Sequence, residues 1–316
     1  MIIPDKYKKF FSAAGGGAIG MQNLLELIPP VTERGNLRGY HVLMTSPFTY
    51  SNPYKTFEMN HTALLTAELS ARLWWRFNGS ISLITDETGF DYIKRTSLSK
   101  AYDEILPILD RRNFGIVPTK YWASGKIQAL TKISAPCVIL DMDILLWRKL
   151  TVTSDELLCT HTEPLSLQCY PSPEFFHTDA DYSYPSDWDF TVEPLNTAVL
   201  YIAEDSFKDY YAEQSIRFMY SEKESPDNGV VCMVFAEQRI LAMCAAARGI
   251  TPKLLFDYYR LSESQTLLTH IWSAKKIIEM VPDLSKIFIE LCEEKLNMLR
   301  SDQDGKKARG LFQKII

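Results

Sequence analysis

Asp141 and Asp143 are the residues of this chain best suited to chemistry, because they break an apolar run that reads CVIL before them and ILLW after them. Carboxylates are seldom buried without a partner. Along an extended chain, residues i and i+2 point to the same side, so the two side chains are predicted to face one point together. Two hard oxygen donors with little other charge nearby suit Mg²⁺ or Mn²⁺. An ion held by only two protein oxygens keeps coordination positions that a diphosphate can fill. A solvated acidic turn is the alternative, since a D-x-D tripeptide on its own is common.

Other spacings carry less. An aspartyl-phosphate nucleophile of the haloacid-dehalogenase type would want a small or hydroxyl residue soon after the second aspartate and a later lysine and acidic pair. Here Ile144-Leu145-Leu146-Trp147 follows directly. GGGAIG (Gly15, Gly17, Gly20) satisfies G-x-G-x-x-G literally, but that fingerprint needs a hydrophobic strand before it and an acid at the end of a second strand. KYKKFFSAA is no such strand and YHVLMTS ends without an acid, so GGGAIG reads as a flexible turn. Cys159, His161, Cys169 and His177 form a loose C-x-H…C…H set. It lacks the tight pairs of structural zinc sites, and these residues read as ordinary strand and loop positions.

The aspartates need strands to carry them. From Tyr40, YHVLMTS reads as a strand, FEMNHTALLTAELSARLWWRFN as a long helix, SISLITDE as the next strand and FGIVPT as a short third. YWASGKIQALTKI has helical character and leads into CVILD. ELLCTHTE and LNTAVLYI are further strands, with a polar, aromatic loop between Tyr170 and Asp189. Helices are expected at about 205–220, 236–248 and 283–300. Strands alternating with helices imply a mixed α/β fold with a mostly parallel sheet flanked by helices. Ligands of such open sheets sit beyond the carboxyl ends of strands, where Asp86, Asp141 and Asp143 fall. Thr45 and Asp86, at the ends of the first two strands, offer hydrogen-bonding groups for a ligand, with ordinary turn residues as the alternative.

Composition sets the bounds. The chain has 316 residues, 46% hydrophobic and 23% charged, with a net charge of -5 and a pI near 5.7; such a surface has no global attraction to nucleic acid. No signal-peptide core and no run of membrane-span length is read. The six cysteines include no C-x-x-C pair, which fits reduced thiols of a cytoplasmic protein. The expected organisation is an N-terminal addition over 1–37, a catalytic domain over 38–282, and a C-terminal helix with a basic tail over 283–316. KKARGLFQKII in that tail is basic and apolar in the manner of weak peripheral membrane contacts, with a solvated helical tail as the plainer reading.

The segment YWASGKIQALTKISAPCVILDMDILLWRKL resembles the donor site of GT-A glycosyltransferases: a Trp/Lys helix, a hydrophobic strand and the D-x-D. It resembles in particular a bacterial family catalogued as a domain of unknown function, which carries a W-W-x-x-G-K segment leading into a D-x-D-V-F-L-W-type strand. PLNTAVLYI is similar to the N-x-G strand of family 8-type enzymes, FAEQRILAM to their acid-Gln helix start, and THIWSAKK to their H-x-x-G-x-x-K. The similarity runs in one order from about residue 40 to 276. Ala198 and Ser273 stand where those motifs have glycine.

The resemblance implies a GT-A-like fold and a metal-dependent hexosyltransferase-type enzyme. Such an enzyme moves a sugar from a nucleotide-diphosphate donor, a UDP-sugar above all, to a glycan or other hydroxyl acceptor, with retention. It implies Mn²⁺ or Mg²⁺ on Asp141, Asp143 and His270, with Lys126 and Lys276 on the donor phosphates. Asn196 and Trp122 would belong to the substrate site, Trp122 as a sugar platform beside Lys126, while Trp74, Trp75 and Trp147 are expected in the core. Gln238 would lie near the anomeric carbon. An inverting enzyme would instead need a carboxylate base, for which Glu237, Asp187 and Asp189 are the candidates. The alternative is a catalytically inactive GT-A-like protein that binds a nucleotide or glycan.

Overall fold

The computed structural model describes residues 5–14, 18–110, 115–154, 157–223, 228–260, 265–272 and 274–313. Gly15, Gly17 and Ser273 lie outside the described residues, as do 314–316 and every side chain after Gln303; the basic tail is therefore described only as helical backbone up to Gln313.

Among the described residues, nine strands form two sheets. In chain order they are β1 (Leu37–Leu43), β2 (Gly79–Thr85), β3 (Glu104–Leu106), β4 (Cys137–Leu140), β5 (Ile144–Leu146), β6 (Leu157–Cys159), β7 (Val199–Ile202), β8 (Lys253–Leu254) and β9 (Leu268–His270). The larger sheet has the order β3-β2-β1-β4-β7-β6-β8, and β5 pairs with β9 in the smaller one. β7 alone runs against its neighbours β4 and β6, while the other pairings of the large sheet are parallel. The fold is thus mixed α/β with a mostly parallel sheet, as the alternation of strand and helix patterns predicts.

β4 explains why a continuous apolar run is needed at the centre. All four of its residues are buried, as in a strand covered by helices on both faces. Alternation divides them: Cys137 and Ile139 join one core with helices Ser124–Leu130 and Asp205–Ser221, and Val138 and Leu140 join the other with helix His61–Phe77. A third cluster packs the N-terminal helix Asp5–Ala14 and the long helix from Pro282 against β5 and helix His61–Phe77. Where those two long helices cross, buried Glu68 accepts from Arg72 and from Arg300, so the charges are paired inside the protein.

Two predicted elements differ. The third strand is Glu104–Leu106 rather than FGIVPT. Residues 115–119 form turns, with Gly115 at φ 87° and Pro118 unable to donate to a ladder. CVILD and ILLW are also not one extended stretch: the Ile144 N–H donates to the Asp141 carbonyl at 3.0 Å, so a turn separates β4 from β5. The helical segment Gly229–Ala247 has the length and mean hydropathy (1.7) of a membrane span, but 72% of it is buried in the protein. It is a core helix, interrupted by a π-helical turn at Phe235–Arg239.

Asp86 ends β2 and caps the helix Glu87–Lys94 by accepting from the Gly89 N–H at 2.9 Å. The same carboxylate accepts from the Thr45 N–H and hydroxyl, each at 2.8 Å, and so ties the exit of β1 to that of β2. Asp86→Ala removes a cap and leaves the Thr45 donors without their partner, and is expected to cost about 1–2 kcal/mol. Urea unfolding followed by circular dichroism checks this; an unchanged midpoint would show that the tie carries no stability.

Candidate metal centre

The turn after β4 and the pairing of β5 with β9 build the centre. The turn places Asp141 and Asp143 at the carboxyl end of a wholly buried strand. The antiparallel register then sets Ile144 opposite His270, which brings an imidazole from far along the chain to the second aspartate. The His270 Nε2 lies 3.9 Å from Asp143 Oδ1. One ligand atom from each of Asp141, Asp143 and His270 falls within 4.8 Å of the others. Ligands about 2.0–2.2 Å from a common ion lie no further apart than this, so two carboxylates and a neutral imidazole fit Mn²⁺ or Mg²⁺. The sequence-based reason for the aspartates was wrong in one respect. They meet through a turn, not by alternation along an extended strand.

Two ammonium groups balance the carboxylates. Lys126 Nζ lies 2.6 Å from Asp141 Oδ1 and 2.6 Å from Glu237 Oε1, and Glu237 Oε1 also accepts from the Thr197 hydroxyl at 2.6 Å. Lys275 Nζ lies 2.7 Å from Asp143 Oδ2. Burial works against charge on Lys126, but Asp141 and Glu237 outweigh it and raise its pKa. Burial also dominates at Asp141, holding its carboxyl above the usual range despite Lys126. At Asp143 burial pushes upward, yet His270 and Lys275 outweigh it and hold the carboxyl below that range. Burial lowers His270, against the pull of Asp143, which favours the neutral ring a metal requires.

The remaining predicted residues separate into those at the centre and those away from it. Lys126 and Glu237 are at it, bonded to each other. Gln238 follows Glu237 in the π-helical turn, and its Oε1 accepts from the Tyr170 hydroxyl at 2.6 Å. Asn196 lies beside β7 but is engaged locally, donating to Glu163 at 2.9 Å and accepting from the Ala198 N–H at 3.1 Å. The Ala198 carbonyl accepts from the Asp141 N–H at 2.8 Å, so the residue in the glycine position of N-x-G holds the aspartate turn through its backbone. Trp122 is 50% exposed, unlike Trp74, Trp75 and Trp147, which are buried. Asp189 is exposed and accepts from the N–H and hydroxyl of Thr191; Asp187 is exposed as well.

Thr45 and Asp86 stand at strand ends as predicted, but both are fully buried and spend their polar atoms on each other. Their neighbours Ser46 and Thr88 instead line a cavity of about 520 Å³ with Thr49, Tyr50, Asn52 and Phe57. Lys276 is exposed, and Lys275 is the lysine on Asp143. Lys275, Thr197 and Tyr170 were missed by sequence reasoning; only the KK pair offered a signal, and it does not say which lysine faces inward. Of the cysteines, five are buried and Cys169 is exposed, all with free thiols.

The profile of a family of unknown function, DUF6734, matches residues 54–302. No curated protein matches significantly. A solved structure described as "PaToxG Glycosyltransferase" aligns over 93% of this chain and 93% of its own, at 10% identity and a TM-score of 0.39. At that identity and superposition, nothing about chemistry passes from one to the other.

Mn²⁺ titrated into the protein and followed by the EPR signal of the free ion is expected to bind, and to stop binding in Asp143→Ala and in His270→Ala. Lys275→Met is expected to tighten binding, because its ammonium competes for Asp143, while Lys276→Met leaves it unchanged. The opposite ranking of the two lysines would contradict the site as described. The raised Asp141 fixes the sign of the pH effect. As pH falls towards its folded-state pKa, protons compete with the ion, so affinity drops and binding releases protons. Calorimetry in buffers of different ionisation enthalpy reads that release; its absence in the acidic arm would mean that Asp141 is not a ligand.

Proposed function

The chain belongs to the family of unknown function DUF6734, and we propose that it is a metal-dependent glycosyltransferase moving a sugar from a nucleotide-diphosphate donor to a hydroxyl acceptor. The observation that carries this reading is the meeting of Asp141, Asp143 and His270 beside Lys126 and Lys275 at the carboxyl edge of a mostly parallel sheet. Ligands of such sheets lie at that edge, and two carboxylates, an imidazole and two ammonium groups suit a diphosphate with its counter-ion. When bound, Mn²⁺ or Mg²⁺ supplies Lewis-acid stabilisation to the leaving nucleoside diphosphate.

The chain's own residues supply the rest. Lys275, with 43% of its side chain exposed, can turn from Asp143 to a phosphate oxygen without crossing the core. Lys126 is half-buried between Asp141 and Glu237 and sets the spacing of those two carboxylates. The cavity beside β1 and β2 has a volume in the range of small-molecule sites, and its buried Ser46 hydroxyl has no partner among the described residues; it suits the nucleoside of a UDP-sugar. Two of the three candidate bases are committed elsewhere, which weighs towards retention. Glu237 is held by Lys126 and Thr197, and Asp189 by Thr191. Gln238 keeps its amide NH₂ beyond the bond to Tyr170 and is the group assigned to the sugar's reacting face.

A second reading, nucleotide or glycan binding without turnover, draws support from the pairing of both aspartates with Lys126 and Lys275, which occupies the carboxylates with the chain's own cations. Hydrolysis of a panel of nucleotide sugars with Mn²⁺ separates the two. Turnover of a UDP-sugar is expected, lost in EDTA and lowered on the order of a hundredfold in Lys275→Met, as removal of a preorganised charge-stabilising group typically costs. Binding of the panel without release of free sugar in any case would establish the second reading.

A further inference from the structure

Beyond the metal centre, the sheet edge carries a set of aromatic rings that the chemistry above does not use. β6 exits through Thr160 and His161, and β8, parallel to it, exits towards Phe256 and Tyr258. The N–H groups of Leu255 and Phe256 donate to the Thr160 carbonyl and hold the two exits together. β9 exits through His270 to Trp272. The His161 ring centre thus lies 4.9 Å from Phe256, 5.3 Å from Tyr258 and 6.3 Å from Trp272. Trp272 in turn stacks on His270 at 5.6 Å with the planes 8° apart.

Two features point to a ligand. Trp272 has φ 40°, the left-handed conformation that no other non-glycine residue adopts among the described residues, and one that L-residues take at a cost. The result is an indole with one face on His270 that remains 39% exposed. His161 is the second feature, with no surface exposed. Its Nδ1 lies 2.7 Å from the Thr162 carbonyl, and since a carbonyl only accepts, Nδ1 carries the proton and Nε2 the lone pair. Burial pushes this imidazole down to about 4, so the ring is neutral. Nε2 has no partner among the described residues. A buried acceptor wants an O–H or N–H donor, here in a ring with three aromatic neighbours.

Stacking surfaces around a lone acceptor suit a saccharide ring, whose C–H face is apolar and whose rim carries O–H donors. A polar group adjoins the rings: Tyr259, whose ring lies 5.7 Å from that of Tyr258, donates to Glu193 at 3.1 Å. We propose that His161, Phe256, Tyr258 and Trp272 form a pyranose-binding shelf, with one sugar hydroxyl donating to His161 Nε2. The identity of the ligand rests on the glycosyltransferase reading. Across the sheet, the cavity lies by β1 and β2, the metal centre at β4 and the shelf by β6 and β8, which puts a nucleoside and this pyranose on opposite sides of the reacting diphosphate. The ring on the shelf is therefore assigned to the acceptor.

Saturation-transfer NMR on the full chain tests this with methyl glycosides of glucose, galactose, mannose and N-acetylglucosamine, without nucleotide or metal. At least one glycoside is expected to bind, and to bind at least about tenfold more weakly in Tyr258→Ala and in His161→Phe, which keeps the ring and removes the acceptor nitrogen. Mn²⁺ binding by the same variants reports that they are folded. Should a variant not fold, the ¹⁵N shift of His161 Nε2 in the wild type must still move on adding the glycoside. If only a nucleotide sugar binds and Tyr258→Ala weakens it, the shelf holds the donor's ring and the acceptor assignment falls. No effect of either variant and no shift at His161 overturns the shelf itself. Glycoside binding with no hydrolysis of any nucleotide sugar would leave the shelf standing and remove the transferase reading.

Discussion

Five charged side chains share the end of one apolar strand, and each has to be paired there. Asp141, Asp143 and Glu237 would be strongly destabilising at an edge lined by buried residues if they stood alone. Lys126 bridges the first and third, and Lys275 answers the second. That requirement reaches well into the fold. Helix Ser124–Leu130 must run close enough to β4 to present Lys126, and the helix carrying Glu237 must open into a π-helical turn at that point. β9 must pair with β5 in the one register that sets His270 across from Ile144 and leads on to Lys275. Turns of the π type are often retained where a side chain has to be aimed at a function.

Under the proposed function, the pairing also prepares the centre for exchange. A carboxylate satisfied by a lysine can pass to a metal ion without becoming unpaired, and the displaced ammonium is then free for an incoming phosphate. Two acidic sites with pKa values pushed apart, Asp141 upward by burial and Asp143 downward by His270 and Lys275, give the aspartates different tasks at one pH. On that reading, metal binding and nucleotide binding are linked through the same three carboxylates.

Much of this was legible in the residues. The apolar runs of β1, β2, β4 and β7 were readable as strands, and an aspartate pair inside the run at residue 137 onwards could only mark an edge. The rest depended on tertiary choices that local patterns do not encode. Asp86 had the composition of a ligand-binding turn, but burial and Thr45 turned it into a cap. Lys275 and Lys276 are adjacent in a helix, so their side chains differ by about 100° around its axis, and the sequence alone cannot choose which faces Asp143. FGIVPT had strand-like residues with a proline that denies it a ladder. Trp272 and His161 belong to two unrelated sequence patterns, neither of which links them, and only the folded positions of three strand exits bring their rings together.

A crystal structure with Mn²⁺ and a nucleoside diphosphate bears most directly on the claim that this edge is a metal–diphosphate site. The ion is expected on Asp141, Asp143 and His270, with Lys275 turned from Asp143 to a phosphate oxygen and the base in the cavity beside Ser46. A diphosphate bound elsewhere, with the Lys275–Asp143 pair intact and no ion between the aspartates, would contradict it.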